Sequence, residues 1–228
     1  MSDERVVELV ASLGSGVEQQ SISWSREKWE PVWTVNPDLP GREALNAIDS
    51  EVARHRTIRR EWIRSTSKTQ GDTEDGRLLL LVLSTIWGYG DFVGRGRKAL
   101  TAMLSTPGCA ETMADIVNES RESPSRGFSA LFENGKTRIN WLGIAFGTKA
   151  IHFAGYDFAA VRPLVLDARV YRGTVRLGVE GKAPDPSKYT TGDEYEAYCR
   201  WAADVARRCP GEVEAETVEY ALFLEGGR

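Results

Sequence analysis

The segment from Arg77 to Trp87 constrains the fold most strongly, because six consecutive residues in it, Leu78 to Leu83, are leucine or valine. A helix that is apolar on every side is stable only when other elements surround it. Thr73 precedes this segment as a candidate helix N-cap, and two acidic residues follow it where they favour the start of a helix. We therefore expect a central buried helix with other elements packed around it.

Helical patterns also cover most of the remaining chain. We predict further helices over residues 3–12, 42–65, 98–105, 110–121, 124–133, 192–208 and 213–224. No repeat or long linker divides the sequence, so we expect one mostly all-α unit over residues 1–228. Its approximate parts are an N-terminal segment with a basic helix, a helical lobe, a central region and the C-terminal helices, at 1–75, 76–135, 136–177 and 178–228.

The composition argues against several classes of protein. No apolar run approaches the ~18 residues of a membrane-spanning helix, and the charged N-terminus is unlike a secretory signal. The cysteines lack the spacing of a disulfide framework, which favours a reducing compartment. Too few cysteines are present for an iron–sulfur cluster, and a zinc site is not expected. We expect a cytoplasmic monomer with no membrane partner, cofactor or metal; its cysteines and histidines are Cys109, Cys199, Cys209, His55 and His152.

Charge is distributed unevenly along the chain. The net charge is −4, yet residues 95–176 carry 12 basic and 7 acidic side chains, a local charge of +5. Affinity for a phosphate backbone depends on the field at the contact face rather than on the total charge. The central third of the chain is therefore compatible with nucleic-acid binding.

The stretch from Trp141 to Val175 combines signals that packing alone does not require. Its pattern predicts a short helix, a tight turn at Phe146-Gly147-Thr148 and a second helix that opens at Lys149. An extended apolar run, 163–166, then stops at Asp167, which is placed to be the N-cap of another helix. A lysine and an aspartate thus stand at the starts of two helices.

This stretch resembles the helix-hairpin-helix DNA glycosylases, especially the lysine-type branch that removes 8-oxoguanine. Gly147-Thr148-Lys149 matches the Gly-x-Lys end of the family hairpin, and Leu164-Val165-Leu166-Asp167 matches the short strand that ends in aspartate. The usual Pro-Gly of the hairpin is replaced by Ile144-Ala145. The resemblance implies a helix-hairpin-helix glycosylase fold, with two helical lobes flanking a catalytic cleft and residues 136–177 carrying the catalytic pair.

The resemblance implies a specific chemistry for the two charged residues. Breaking the bond between C1′ and a base nitrogen produces an oxocarbenium-like sugar, which Asp167 would stabilise while a neutral Lys149 amine captures C1′. We therefore expect a glycosylase that flips a damaged base, first of all an 8-oxoguanine-type purine, out of double-stranded DNA. Because amine attack forms a Schiff base, cleavage of the DNA strand (AP lyase activity) is also possible.

Further residues are candidates for DNA contact or for the base pocket. The resemblance assigns Gly147, Thr148 and Arg169 to the DNA backbone. The glycine-rich loop after the central helix is either a bend or a minor-groove probe, and its candidates are Tyr89, Phe92, Arg95 and Arg97. Phe153, one helical turn after Lys149, either stacks on the flipped base or packs in the core. Trp201, Tyr220 and Phe223 are candidates for the opposite wall.

Three groups of residues admit two interpretations each. The arginines around residues 54–64, with Lys68, form either a solvated face or a second phosphate-binding strip. Trp24, Trp29 and Trp33 either clamp an irregular segment to the core or form an aromatic wall for a base. His152 is either a core histidine or a proton shuttle.

Two other functions are compatible with the sequence. A compact glycosylase of this type could excise hypermodified bases, such as glucosylated ones, from phage DNA as an antiviral defence. Alternatively, the chain could be a catalytically idle DNA- or protein-binding module that keeps the fold.

Overall fold

The computed structural model describes residues 2–13, 21–90, 93–133 and 135–228. Most of these residues are helical, as the all-α fold class predicted. The helices are α1 (Ser2–Leu13), α2 (Arg26–Trp29), α3 (Pro31–Val35), α4 (Ala44–His55), α5 (Arg60–Gln70), α6 (Glu74–Tyr89), α7 (Val93–Leu104), α8 (Cys109–Glu122), α9 (Pro124–Ala130), α10 (Ile144–Gly155), α11 (Ala168–Leu177), α12 (Gly192–Arg208) and α13 (Ala215–Gly227).

Two short antiparallel ladders accompany the helices. Strand β1 (Ser21–Ile22) pairs with β2 (Ile58–Arg59), and β3 (Phe132–Glu133) pairs with β4 (Lys136–Thr137). Within the described residues no helix is long and apolar enough to cross a membrane.

Helix α6 is the central helix that the sequence predicted. The hydroxyl of Thr73 accepts a hydrogen bond from the N–H of Gly76 and caps its first turn. Every residue from Leu78 to Trp87 is buried, and α6 packs against α5, α7, α8 and α10. Each fully buried leucine stabilises the fold by roughly 1.5–3 kcal/mol, so this helix dominates the core.

The helices form two groups that meet at a cleft. In the first group, α10 packs against α5, α6 and α8. In the second group, α13 packs against α1, α11 and α12. Contacts between α9 and α12 join the two groups. The arrangement matches the expected two helical lobes.

The predicted continuous helix over residues 42–65 is wrong. Helix α4 ends at His55, and Arg56 adopts a left-handed conformation with φ of 66° while its N–H bonds to the carbonyl of Val52. The chain then pairs Ile58 with Ile22 in the ladder before α5 begins at Arg60. The helical period resumes after the break, which is why the pattern alone did not reveal it.

The predicted helix over residues 124–133 is too long at its C-terminal end. Ser123 caps α9 as expected and Pro124 occupies its first position, but the helix ends at Ala130. The following residues form the β3–β4 hairpin, which turns at Gly135 with φ of 77°.

The predicted tight turn at Phe146-Gly147-Thr148 is also wrong. Helix α10 begins at Ile144, so these residues lie in its first two turns. The chain turns earlier, where the N–H of Leu142 bonds to the carbonyl of Ile139. Gly147 serves close packing instead: a Cβ at this position would lie 2.5 Å from the side chain of Leu131.

Candidate active site

Thr148 fixes the extended segment before α11 against α10. Its Oγ1 accepts a hydrogen bond from the N–H of Leu166 at 3.0 Å. The same hydroxyl lies 2.8 Å from the carbonyl of Ile144 and 3.2 Å from that of Leu166, between which it shares its proton. Since Lys149 follows Thr148 and Asp167 follows Leu166, this clamp sets the spacing of the two candidate catalytic residues.

Lys149 and Asp167 form an ion pair in a mostly buried position. The Nζ of Lys149 lies 3.4 Å from Oδ2 of Asp167, and their side chains are 8% and 16% exposed. The ammonium also donates to the carbonyl of Ala145 at 3.0 Å. The sequence placed these residues 18 positions apart, and the fold brings their charged ends together.

Asp167 is the N-cap of α11, as the sequence predicted. Its Oδ1 accepts hydrogen bonds from the N–H groups of Arg169 and Val170 at 2.9 and 3.1 Å. Burial alone would raise the pKa of Asp167, but the Lys149 ammonium and these two N–H groups outweigh burial and lower it. The carboxylate is therefore ionised at neutral pH.

The pair opens into a cavity of about 430 Å³ between the two helical groups. This volume lies within the range of small-molecule sites in proteins, ~300–1,000 Å³. Helices α5, α6 and α10 line one side, and α13 with the start of α11 lines the other. The lining residues are Ser21, Ile22, Arg60, Trp87, Gly88, Lys149, Val165, Asp167, Glu219, Tyr220 and Phe223.

Comparison with known families found a match that covers most of the chain. Residues 15–223 match the family described as "Putative 8-oxoguanine DNA glycosylase OGG-like protein". The chain belongs to this family. No curated protein and no solved structure gave a significant match. Membership of the OGG-like family supports the resemblance first identified over residues 141–175 and implies a DNA substrate.

A buried ion pair in the cavity was not anticipated for this OGG-like protein. The guanidinium of Arg60 donates to both carboxylate oxygens of Glu219, at 3.2 and 3.4 Å, and both residues are at most 5% exposed. Burial raises the pKa of Glu219 although Arg60 opposes it. Glu219 is flanked by apolar residues of α13, and this charged residue among apolar ones is the signal in the sequence that could have indicated a buried ion pair.

Arg60 and Arg64 belong to the basic strip that the sequence left open between two interpretations. Both donate to Glu216, at 3.4 and 3.1 Å, so their charges are neutralised within the protein. These two residues therefore belong neither to a solvated face nor to a phosphate-binding strip. Arg54, Arg56 and Lys68 are exposed.

The aromatic walls of the cavity differ in part from the prediction. Trp87 lines one side, while Tyr220 and Phe223 line the other with their rings stacked 6.4 Å apart. Phe153 is only 2% exposed and meets the edge of Trp87 at 5.9 Å, which favours its alternative role in the core.

Trp201 lies outside this cavity, contrary to its expected place in the base pocket. Its Nε1 donates to Asp3 at 3.3 Å, and its ring lines a separate cavity beside Tyr171 and Tyr189. Trp201 lies on the face of α12 that packs against α1.

Two of the predicted DNA contacts are buried instead. Thr148 has no exposed surface and its hydroxyl bonds internally, while the N–H of Gly147 donates to the carbonyl of Gly143, the N-cap of α10. Neither the hydroxyl of Thr148 nor the N–H of Gly147 is available to a phosphate. Thr148 is therefore a positioning residue.

Other candidates for DNA contact have distinct environments. Arg169 is exposed, and its guanidinium lies 4.9 Å from the centre of the Phe223 ring at the cavity wall. Tyr89 stacks on Phe146 at 4.6 Å. Arg95 is exposed, whereas Arg97 donates to the carbonyl of Lys28 at 3.5 Å. Phe92 lies outside the described residues.

The remaining open alternatives now have defined environments. Trp29 and Trp33 are buried, as expected for residues that clamp a segment to the core. His152 is fully buried, with Nδ1 2.8 Å from the carbonyl of Pro163, and burial lowers its pKa well below the usual value. No group of three or more side chains suited to metal binding occurs among the described residues.

Proposed function

We propose that this OGG-like protein is a DNA glycosylase that excises an 8-oxoguanine-type base from double-stranded DNA. The observation that carries the proposal is the pairing of an amine with a carboxylate, 3.4 Å apart, at the wall of one 430 Å³ cavity. A base can reach such a cavity only after its nucleotide has left the duplex stack, so the reaction requires base flipping.

Lys149 acts as the nucleophile. After its ammonium loses one proton, Nζ attacks C1′ of the flipped nucleotide while the bond between C1′ and the base breaks. The bonding electrons leave with the base, which takes up a proton. The adduct opens to a Schiff base, which water hydrolyses or from which β-elimination cleaves the strand.

Asp167 stabilises the positive charge that develops on the sugar. Its carboxylate is held by two backbone N–H groups at the start of α11, so its position does not depend on Lys149 alone. Fixed charges aimed at a developing charge are often the largest single contribution to an enzymatic rate. Arg169, which is exposed beside the cavity wall, supplies a phosphate contact.

The first experiment measures base release from duplex oligonucleotides that carry 8-oxoguanine opposite cytosine. Borohydride reduction should trap a covalent protein–DNA adduct through the Schiff base. Lys149→Gln should abolish trapping, whereas Lys182→Gln, which changes an exposed lysine, should leave it intact. An adduct that persists in Lys149→Gln would assign the reaction to another nucleophile.

A second set of substrates tests the choice of base. The set contains uracil, hypoxanthine, an alkylated purine and glucosylated hydroxymethylcytosine in otherwise identical duplexes. Release of the glucosylated base alone would replace the repair substrate with a phage substrate. Release of no base from any duplex, including 8-oxoguanine, would overturn the proposal and favour an idle binding module.

A further inference from the structure

Trp141 combines exposure with an unfavourable backbone conformation. It is 52% exposed and has a φ of 68°. It occupies the third position of the turn from Ile139 to Leu142, where a positive φ favours glycine or asparagine. A bulky residue with positive φ is an outlier in protein structures. Glycine would therefore adopt this turn at lower free energy than tryptophan.

The turn does not need the indole to hold its shape. Ile139 and Leu142 are each 1% exposed and anchor both ends in the core. The N–H of Leu142 bonds to the carbonyl of Ile139, and the N–H of Asn140 bonds to the hydroxyl of Thr106, both at 3.1 Å. These contacts involve the backbone or neighbouring side chains, and none of them uses the Trp141 side chain.

Core packing does not account for tryptophan at this position either. The other six tryptophans, all within the described residues, are buried or half-buried. Strained residues that surrounding structure holds in place cluster at ligand-contact sites, and tryptophan is enriched among the residues that dominate binding interfaces. Trp141 satisfies both descriptions.

The turn lies at the start of the helix that carries the candidate nucleophile. Gly143, the N-cap of α10, has no capping side chain, and Lys149 follows in the second turn of the helix. The helical rise from Ile144 to Lys149 is only about 7.5 Å, comparable to the length of two stacked base pairs. The turn therefore lies near the candidate nucleophile along the axis of α10.

We propose that Trp141 is a DNA-contacting residue whose indole packs against a base or deoxyribose next to the flipped nucleotide. The surrounding third of the chain has a local charge of +5, which complements a phosphate backbone better than an acidic or apolar protein surface. Aromatic side chains stack on bases with little dependence on sequence, and such a contact suits an enzyme that must hold DNA on either side of a variable site. The inference rests on the proposed DNA substrate but not on base removal.

Because of the backbone strain, replacing Trp141 with glycine should affect stability and DNA binding in different directions. Trp141→Gly should leave the melting temperature unchanged or raise it by about 2–4 °C, because glycine relieves the positive φ. The same variant should bind duplex DNA about tenfold more weakly, since it loses one aromatic contact. Trp141→Phe keeps an aromatic ring and should retain most of the affinity.

The probe is a fluorescein-labelled duplex with a tetrahydrofuran abasic-site analogue, which binds without being processed; the matched undamaged duplex serves for comparison. Intrinsic tryptophan emission should change when wild-type protein binds the unlabelled duplex, and that change should be reduced in Trp141→Phe. Equal affinities of wild type and Trp141→Gly would overturn the inference. So would a change in the sedimentation of DNA-free protein in Trp141→Gly, which would assign the residue to a protein interface.

The outcome also separates this inference from the proposed function. If wild-type protein binds DNA through Trp141 but releases no base, only the glycosylase proposal fails. If wild type and Trp141→Gly both release 8-oxoguanine and also bind the duplex with equal affinity, only the inference about Trp141 fails.

Discussion

The hydroxyl of Thr148 bonds to both the N–H and the carbonyl of Leu166, at 3.0 and 3.2 Å. This contact joins α10 to the segment that ends at Asp167, and it is fully buried. The distance between the Lys149 amine and the Asp167 carboxylate therefore depends on a residue that does not enter the cavity.

Thr148→Val should lower both the stability of the protein and the rate of base release. Valine keeps the shape but leaves the buried N–H of Leu166 unpaired, so the free energy of unfolding should fall by about 1–3 kcal/mol. The rate of base release should also fall, because Asp167 loses its fixed position relative to Lys149. Urea unfolding and single-turnover kinetics measure the two effects. Thr148→Ser retains the hydroxyl and is the control; equal rates for the two variants would exclude a positioning role.

Asp167→Asn should reduce base release by about 100-fold or more, because asparagine still caps α11 but carries no charge. DNA binding should change far less than the rate, which single-turnover and binding measurements can distinguish. A variant that is as fast as wild type would remove the carboxylate from the mechanism.

The same substitution should alter the pH dependence of stability. The pKa of Asp167 is lowered in the folded protein from its usual value of 3.8. The ionised carboxylate therefore contributes stability above that usual value, and the contribution is lost as the pH falls through the lower folded-state pKa. The stability difference between wild type and Asp167→Asn should be largest near neutral pH and shrink below about pH 4. Urea unfolding at several pH values tests this, and a difference that grows in acid would contradict it.

The Arg60–Glu219 pair should behave as a coupled unit. Arg60→Met leaves Glu219 buried without its cation, so this variant should cost about 3–5 kcal/mol of unfolding free energy. Glu219→Leu should cost less, because Arg60 keeps its ion pair with Glu216. The double variant should lose less than the sum of the single losses, because no unpaired charge remains. A double-mutant cycle by urea unfolding measures the coupling; additive effects would mean that the two groups do not stabilise each other.

Phe223 and Trp201 offer a matched test of the cavity boundary. Phe223→Leu should slow base release because it removes part of the wall and the surface under Arg169. Trp201→Phe changes an aromatic residue outside the cavity and should leave the rate of base release near that of wild type. Equal losses in both variants would indicate a global effect on the fold rather than a role for the cavity wall.

The sequence by itself determined the elements whose signals are local. The unbroken apolar run in α6 required a buried helix, and the aspartate after an extended run predicted the cap at Asp167. The helix predicted over residues 192–208 also has the bounds of α12, and the structure shows that a capping box closes its first turn. Such signals act over a few residues, so they can be recognised in the sequence without knowledge of the rest of the fold.

Only the tertiary structure decided the composition of the cavity. Arg60 and Glu219 are separated by 159 positions, and a helical period cannot reveal that two distant charges are buried against each other. Gly147 looked like a turn residue, yet it lies within α10, where the absence of a Cβ lets the side chain of Leu131 pack against the helix. Trp201 faces Asp3 rather than the candidate catalytic pair because the packing of α12 sets its direction. Burial and long-range contacts, which local propensity does not encode, made these choices.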